Sequence, residues 1–380
     1  MATSLIPLKN RKRLVTYYVD TGTVYTAKIK KGADALSGLT FSPTLSGWTF
    51  VGWREDTAAS NSVLSSEIVG SKDITLYAVF KKTVTLTYYS TSSTKHTATG
   101  TRYYNNGNIA NPTFTISSPS VSGWTFLGWI SSSTSATGTV SYESISGTTF
   151  SADATLYAKF SQTITLSYNG NSSTSGSTSS QTGTRYWNVY GNYSNPSFTL
   201  RSNGYTRTGY SFSKWAKDSA SGTQYSAGDS VTLSASATFY AVWTAVDVTI
   251  FDGDTLASGY GTYYTDTIAA NPDNESSEDT GTRTMFVLSG LGPFTTIKIS
   301  YSYNCYVNYG TAELYINNTL VQSGSPTGLW DYSNATKTIT ISSSATSLTI
   351  TGRAYASNDY SNTSYYARAN MTITKITAHV

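Results

Sequence analysis

The chain has 380 residues, 38% hydrophobic and 14% aromatic, but only 12% charged, against about 25% in ordinary soluble proteins. Its 31 Tyr, 13 Phe and 8 Trp supply too much apolar surface for a disordered chain. A formal charge of +4 gives no general reason to expect nucleic-acid binding, and no stretch reaches the ~18 apolar residues of a membrane span.

Residues 1–13 read as a short arm with a basic cluster, Lys9, Arg11, Lys12 and Arg13, the candidate anchor to an acidic partner surface. The first residues lack a continuous apolar core and a small-residue cleavage site, so a secretory signal is not expected. Residues 14–82 form the first module. Val15–Val19 reads as a strand, Asp20-Thr21-Gly22 as a turn, and Val24–Ile29 as the hairpin partner. Lys31–Leu39 is expected to hold one helical turn or a short helix. Gly47-Trp48-Thr49-Phe50-Val51-Gly52-Trp53 follows with the period of two that a strand needs. Its second glycine predicts a bulge or a close backbone approach. Thr75-Leu76-Tyr77-Ala78-Val79-Phe80 closes the module as a second alternating strand.

Both signatures return in order. Residues 83–161 carry Gly123-Trp124-Thr125-Phe126-Leu127-Gly128-Trp129 and Thr155-Leu156-Tyr157-Ala158-Lys159-Phe160. Residues 162–244 carry Gly209-Tyr210-Ser211-Phe212-Ser213-Lys214-Trp215 and Thr238-Phe239-Tyr240-Ala241-Val242-Trp243. Modules two and three share two further landmarks, Gly100-Thr101-Arg102-Tyr103-Tyr104-Asn105 with Asn111-Pro112, and Gly183-Thr184-Arg185-Tyr186-Trp187-Asn188 with Asn195-Pro196. Ser172–Ser180 reads as a low-complexity loop. Trp48, Phe50, Trp53, Trp124, Phe126, Trp129, Tyr210, Phe212 and Trp215 are expected to form the repeat cores, because aromatics dominate the cores of small domains. The near absence of linkers predicts a stiff array.

The paired signatures resemble the Listeria–Bacteroides, or internalin B-type, repeat, in three copies over roughly residues 14 to 244. That resemblance implies small, mostly β, β-grasp-like modules strung on extracellular or surface-exposed proteins. The third copy departs from the pattern with Lys214 in place of the second glycine.

Residues 245–380 lack the aromatic motif and show short alternating strands with polar turns, among them Asn317-Asn318, so a β-sandwich or jelly roll is expected. The single cysteine, Cys305, excludes an intrachain disulfide and reads as a buried small hydrophobe. Trp330, Tyr332, Tyr355, Tyr360, Tyr365 and Tyr366 are glycan-binding candidates, since sugar rings stack on aromatic faces.

Two histidines, His96 and His379, and the absence of HExxH, Cys/His clusters, phosphate loops and GxSxG elbows leave no expected catalytic residue, metal or cofactor. The acidic run Asp273, Glu275, Glu278 and Asp279 reads as a solvated loop. The expected function is that of a non-enzymatic phage virion structural protein: a head fibre, capsid decoration or tail-associated protein. Its expected partners are other virion proteins, with host-surface or mucosal glycans and a second copy of the chain as further candidates. The alternative is a bacterial cell-surface adhesin.

Overall fold

A computed structural model describes residues 11–270, 278–306, 310–324, 330–340, 345–357 and 368–380. Among them the protein is mainly β, with no helix. The chain divides into two compact units, residues 1–164 with 182–197 and 232–235, and residues 165–181 with 198–231 and 236–380.

In the first unit, module one opens with the strand Lys12–Tyr18, hairpinned to Val24–Lys30. The turn is fixed by Asp20 Oδ1, which accepts the N–H groups of Gly22 and Thr23 at 2.8 and 2.6 Å. The opening strand then pairs in parallel with the closing strand Ile74–Tyr89, and the motif strand Thr49–Arg54 adds antiparallel to the closing strand's other edge. That order is the β-grasp arrangement without its helix. Lys31–Leu39 forms turns instead of the expected helical turn. Its backbone N–H groups are taken by other partners: Gly32 by Val69 O, Ala35 by Glu67 O, and Leu36 by the Asp34 carboxylate.

The closing strand of module one runs on as the opening strand of module two. There it pairs antiparallel with His96–Asn105 and in parallel with Ala154–Asn169, which closes module two and opens module three. The motif strand Thr125–Ile130 repeats the antiparallel pairing.

All three motif strands carry a one-residue bulge, between Phe50 and Gly52, between Lys159 and Phe160 opposite Gly128 and Phe126, and between Phe212 and Lys214. A Cβ on Gly52 would lie 2.9 Å from Val63, and one on Gly128, at φ 140°, would strike Val140 and, at 2.6 Å, Tyr142 O. Lys214 is exposed, with room for its side chain, so the third copy tolerates it there.

Trp53 and Trp129 are the buried centres of their modules, 4% and 0% exposed. Trp48, Phe50, Trp124 and Phe126 pack half-buried against these cores.

In the second unit, module three keeps the parallel pairing of Leu166–Asn169 with Ala237–Tyr240 and the antiparallel pairing of Tyr210–Lys217 with Ala237–Ala245. Trp215 is fully buried, and its indole N–H donates to Arg201 O at 2.9 Å. Tyr210 and Phe212 are half-buried. The expected loop Ser172–Ser180 is pinned in its middle, because Ser175–Gly176 pairs with Tyr205–Thr206. Gly176 and Gly204 let those backbones approach where a Cβ would not fit.

Residues 245–380 fold into a β-sandwich. One sheet joins 248–252, 255–256, 267–270, 296–306, 330–340 and 368–379; the other joins 261–263, 278–288, 310–316, 319–324 and 348–357. Ile250, Phe251, Met285, Phe286, Leu288, Ile297, Ile299, Ile350 and Ile376 fill the space between them, all 0% exposed. Asn317 and Asn318 make the expected turn with φ of 47° and 66°. Cys305 lies in the strand Thr296–Tyr306; its side chain is outside the described residues.

Candidate functional site

The residues that join modules are built by the hairpin landmarks. The strand His96–Asn105 of module two extends past its own opening strand and ends against module one. There the fully buried Asn105 donates from Nδ2 to Asp56 O at 2.9 Å and Ala58 O at 3.0 Å, and Asn108 donates to Thr57 O at 3.0 Å. Tyr104 packs 5.8 Å from Trp48, and the Arg102 guanidinium lies 5.5 Å over the Trp48 ring. The half-buried first tryptophan of the motif is therefore a docking surface for the next module.

Module three repeats the device on module two. Asn188, also fully buried, donates to Ser132 O at 2.8 Å and Ser135 O at 3.1 Å, and Asn192 donates to Ser133 O at 2.6 Å. Trp187 lies 5.4 Å from Trp124 and stacks on Phe160 and Tyr193 at 5.2 and 6.0 Å. Arg185 sits 5.3 Å over Trp124 and 4.5 Å over Tyr193. These are neutral amides facing backbone carbonyls, backed by cations on aromatic faces. The arrangement binds module to module.

The junctions differ in charge. In the first, Arg54 grips Asp56 through Nε–Oδ1 at 2.6 Å and Nη2–Oδ2 at 2.8 Å, which holds the Asp56 carboxyl down at about 2. In the second, Lys159 is 6% exposed, donates to Gly138 O at 2.7 Å and lies 4.9 Å over Tyr186; burial lowers its pKa.

The glycine-threonine-arginine landmarks, shared motifs without an expected role, thus build both junctions. The signal was present, since both copies place an asparagine three residues after the arginine.

The basic cluster straddles the start of a strand. Lys12 and Arg13 pair with Lys30 and Ile29, and Lys9 lies outside the described residues. Lys12, Lys28 and Lys30 share one exposed face of the hairpin, with Lys12 directly opposite Lys30. Like charges so placed destabilise a ladder.

Of the aromatic candidates, Tyr355 is half-buried on the outward side of Leu348–Ser357. Trp330 and Tyr332 lie in the strand Trp330–Thr340, in the other sheet, and their side chains fall outside the described residues, as do Tyr360, Tyr365 and Tyr366. His96 stacks on Tyr88 at 5.2 Å, and His379 Nδ1 lies 2.8 Å from Asp247. Asp252 pairs with Lys375 at 3.2 Å. Among the described residues no group of three or more His, Cys, Asp or Glu converges as metal ligands.

The sequence profile of the Listeria-Bacteroides repeat domain matches residues 14–79, 85–159 and 163–242, more than half of the chain. Among curated proteins there is no match. A solved structure with similarity is dimeric latent PorU from Porphyromonas gingivalis, 12% identical over 49% of this chain, with a TM-score of 0.19. The aligned region spans 19% of the PorU chain.

Proposed function

From a chain that belongs to the Listeria-Bacteroides repeat domain family, we infer a non-enzymatic display protein on a phage virion: a head fibre, capsid decoration or tail-associated protein. Modules of this family are typically non-catalytic surface or structural units. The observation that carries the reading is the pair of junctions, where buried Asn105 and Asn188 lock each module onto its predecessor. Such an array is suited to holding a domain away from a support. With one cysteine it uses no intrachain disulfide, which suits assembly in a reducing compartment before release by lysis. The exposed face of Lys12, Lys28 and Lys30 is the particle-side anchor, and residues 245–380 face outward as the part that meets glycans. Attachment through lysines weakens with salt, because exposed charges are screened within about 10 Å at 0.1 M.

Mass spectrometry of purified virions tests the reading, which requires the chain in stoichiometric amounts. Its absence from virions overturns the reading. Recovery from the bacterial envelope would favour the cell-surface adhesin instead.

A further inference from the structure

We propose that the outer face of the sandwich sheet containing 278–288, 310–316 and 348–357 binds a neutral saccharide at Glu313, Tyr315 and Arg353. This rests on the display reading above and assigns the displayed domain its ligand.

The ladder builds the site. Glu313 pairs with Arg353 across the strands, and Arg353 pairs with Thr282 on its other side. Alternation sends Ala312, Leu314, Ile350 and Ala354 into the core, each 0% exposed, so Glu313, Tyr315, Thr351 and Arg353 point outward. The Tyr315 hydroxyl donates to Glu313 Oε2 at 2.7 Å, and Arg353 Nη1 lies 3.7 Å from the same oxygen. One carboxylate thus orients both a ring and a guanidinium before any ligand arrives. With Arg353 47% exposed, such a pair adds little to stability, so folding alone gives no reason for it.

Beside Glu313 lies a shallow depression of about 360 Å³, lined by Thr282, Tyr315, Asn318, Thr351 and Arg353. That size falls within the ~300–1,000 Å³ of small-molecule sites. The chemistry selects the occupant. An anion would face the Glu313 carboxylate, and a cation would face Arg353. A polyol satisfies both, donating hydroxyl protons to Glu313 and accepting from Arg353. The threonine hydroxyls and the Asn318 amide add donors and acceptors, and the Tyr315 ring supplies the flat apolar surface on which a pyranose stacks. A shallow site implies weak single-site binding, strengthened by many copies on one particle.

The full-length chain should be tested on arrayed neutral glycans and carboxylated glycans. We expect binding to neutral glycans, and a tenfold or greater loss of affinity in Arg353→Ala and in Glu313→Gln, with unchanged thermal melting. Should either variant fail to fold, wild-type protein titrated with lactose and with maltose decides. Amide chemical shifts must then move around residues 313–318 and 351–353. No neutral-glycan binding, binding only to carboxylated glycans, variants within threefold of wild type, or shifts elsewhere would each overturn the site. Virion mass spectrometry reads the display function separately, since neither substitution touches the junctions or the lysine face.

Discussion

At the first junction Asn105 reaches carbonyls in a loop gripped by the Arg54–Asp56 ion pair, and a single tyrosine, Tyr104, meets Trp48. At the second junction Asn188 reaches carbonyls in a Ser/Thr-rich loop, beneath a stack of Trp124, Trp187, Tyr193 and Phe160. The shared part is the buried amide beneath a cation on an aromatic face; the first junction adds the Arg54–Asp56 ion pair and the second adds aromatic area. The amide thus sets register, since only one placement gives both its N–H groups acceptors. The surroundings set strength, and two different surroundings serve.

The comparison breaks most visibly through the aromatics. Trp187→Ala should cost the second junction about 3 kcal/mol, and Tyr104→Ala should cost the first about 1.5 kcal/mol, as half-buried rings of different area. Thermal melting of the two variants checks this, and equal losses would mean that aromatic area does not distinguish the junctions. The asparagines should behave alike. Asn105→Ala and Asn188→Ala each remove two hydrogen bonds made by a fully buried amide to backbone carbonyls, at about 1–3 kcal/mol. A denaturant series on both variants tests that equality.

Acid should separate the junctions. The folded-state pKa of Asp56 is depressed, to about 2 from an ordinary 3.8. Its contribution is therefore present above about pH 4 and fades as pH falls toward 2. No carboxylate supports the loop Ser131–Ser141, which contains no ionisable residue. Hydrogen exchange at pH 5 and at pH 2.5, corrected for intrinsic rates, should show residues 54–58 loosening while 131–136 hold. Parallel behaviour of the two loops would remove the ion pair from the account.

The smallest effects test the motif itself. Lys214→Gly should change stability by no more than about 0.5 kcal/mol, because the site is exposed. Gly128→Ala should cost more than about 1 kcal/mol, since its Cβ would meet Tyr142 O and Val140 at a φ of 140°. Matched melts of the two variants give the contrast directly.

The repeats were legible because their physics is local. Alternation, the glycine bulge and the Asn317-Asn318 turn are each written within a few residues. The different roles of the two tryptophans in each motif were not legible. Trp48 and Trp53 look alike in sequence, and only the arrival of Tyr104 and Arg102 from about 50 residues away marks Trp48 as a docking surface. The absent helix at Lys31–Leu39 has a similar cause, because its N–H groups are claimed by Glu67 and Val69 from a later loop. The Glu313–Tyr315–Arg353 face needed the strand register, which brings residues 40 positions apart side by side. The aromatic candidates chosen by residue type led to that sheet only through Tyr355.

The most direct test of the account measures module one while altering module two. In the full-length chain, Asn105→Ala should accelerate hydrogen exchange across residues 48–64 of module one at least tenfold, with a comparable rise in residues 96–110. That result is required if Asn105 clamps the loop through Asp56 O and Ala58 O. Faster exchange confined to residues 96–110, with 48–64 unchanged, would contradict the claim that each module is locked by the next.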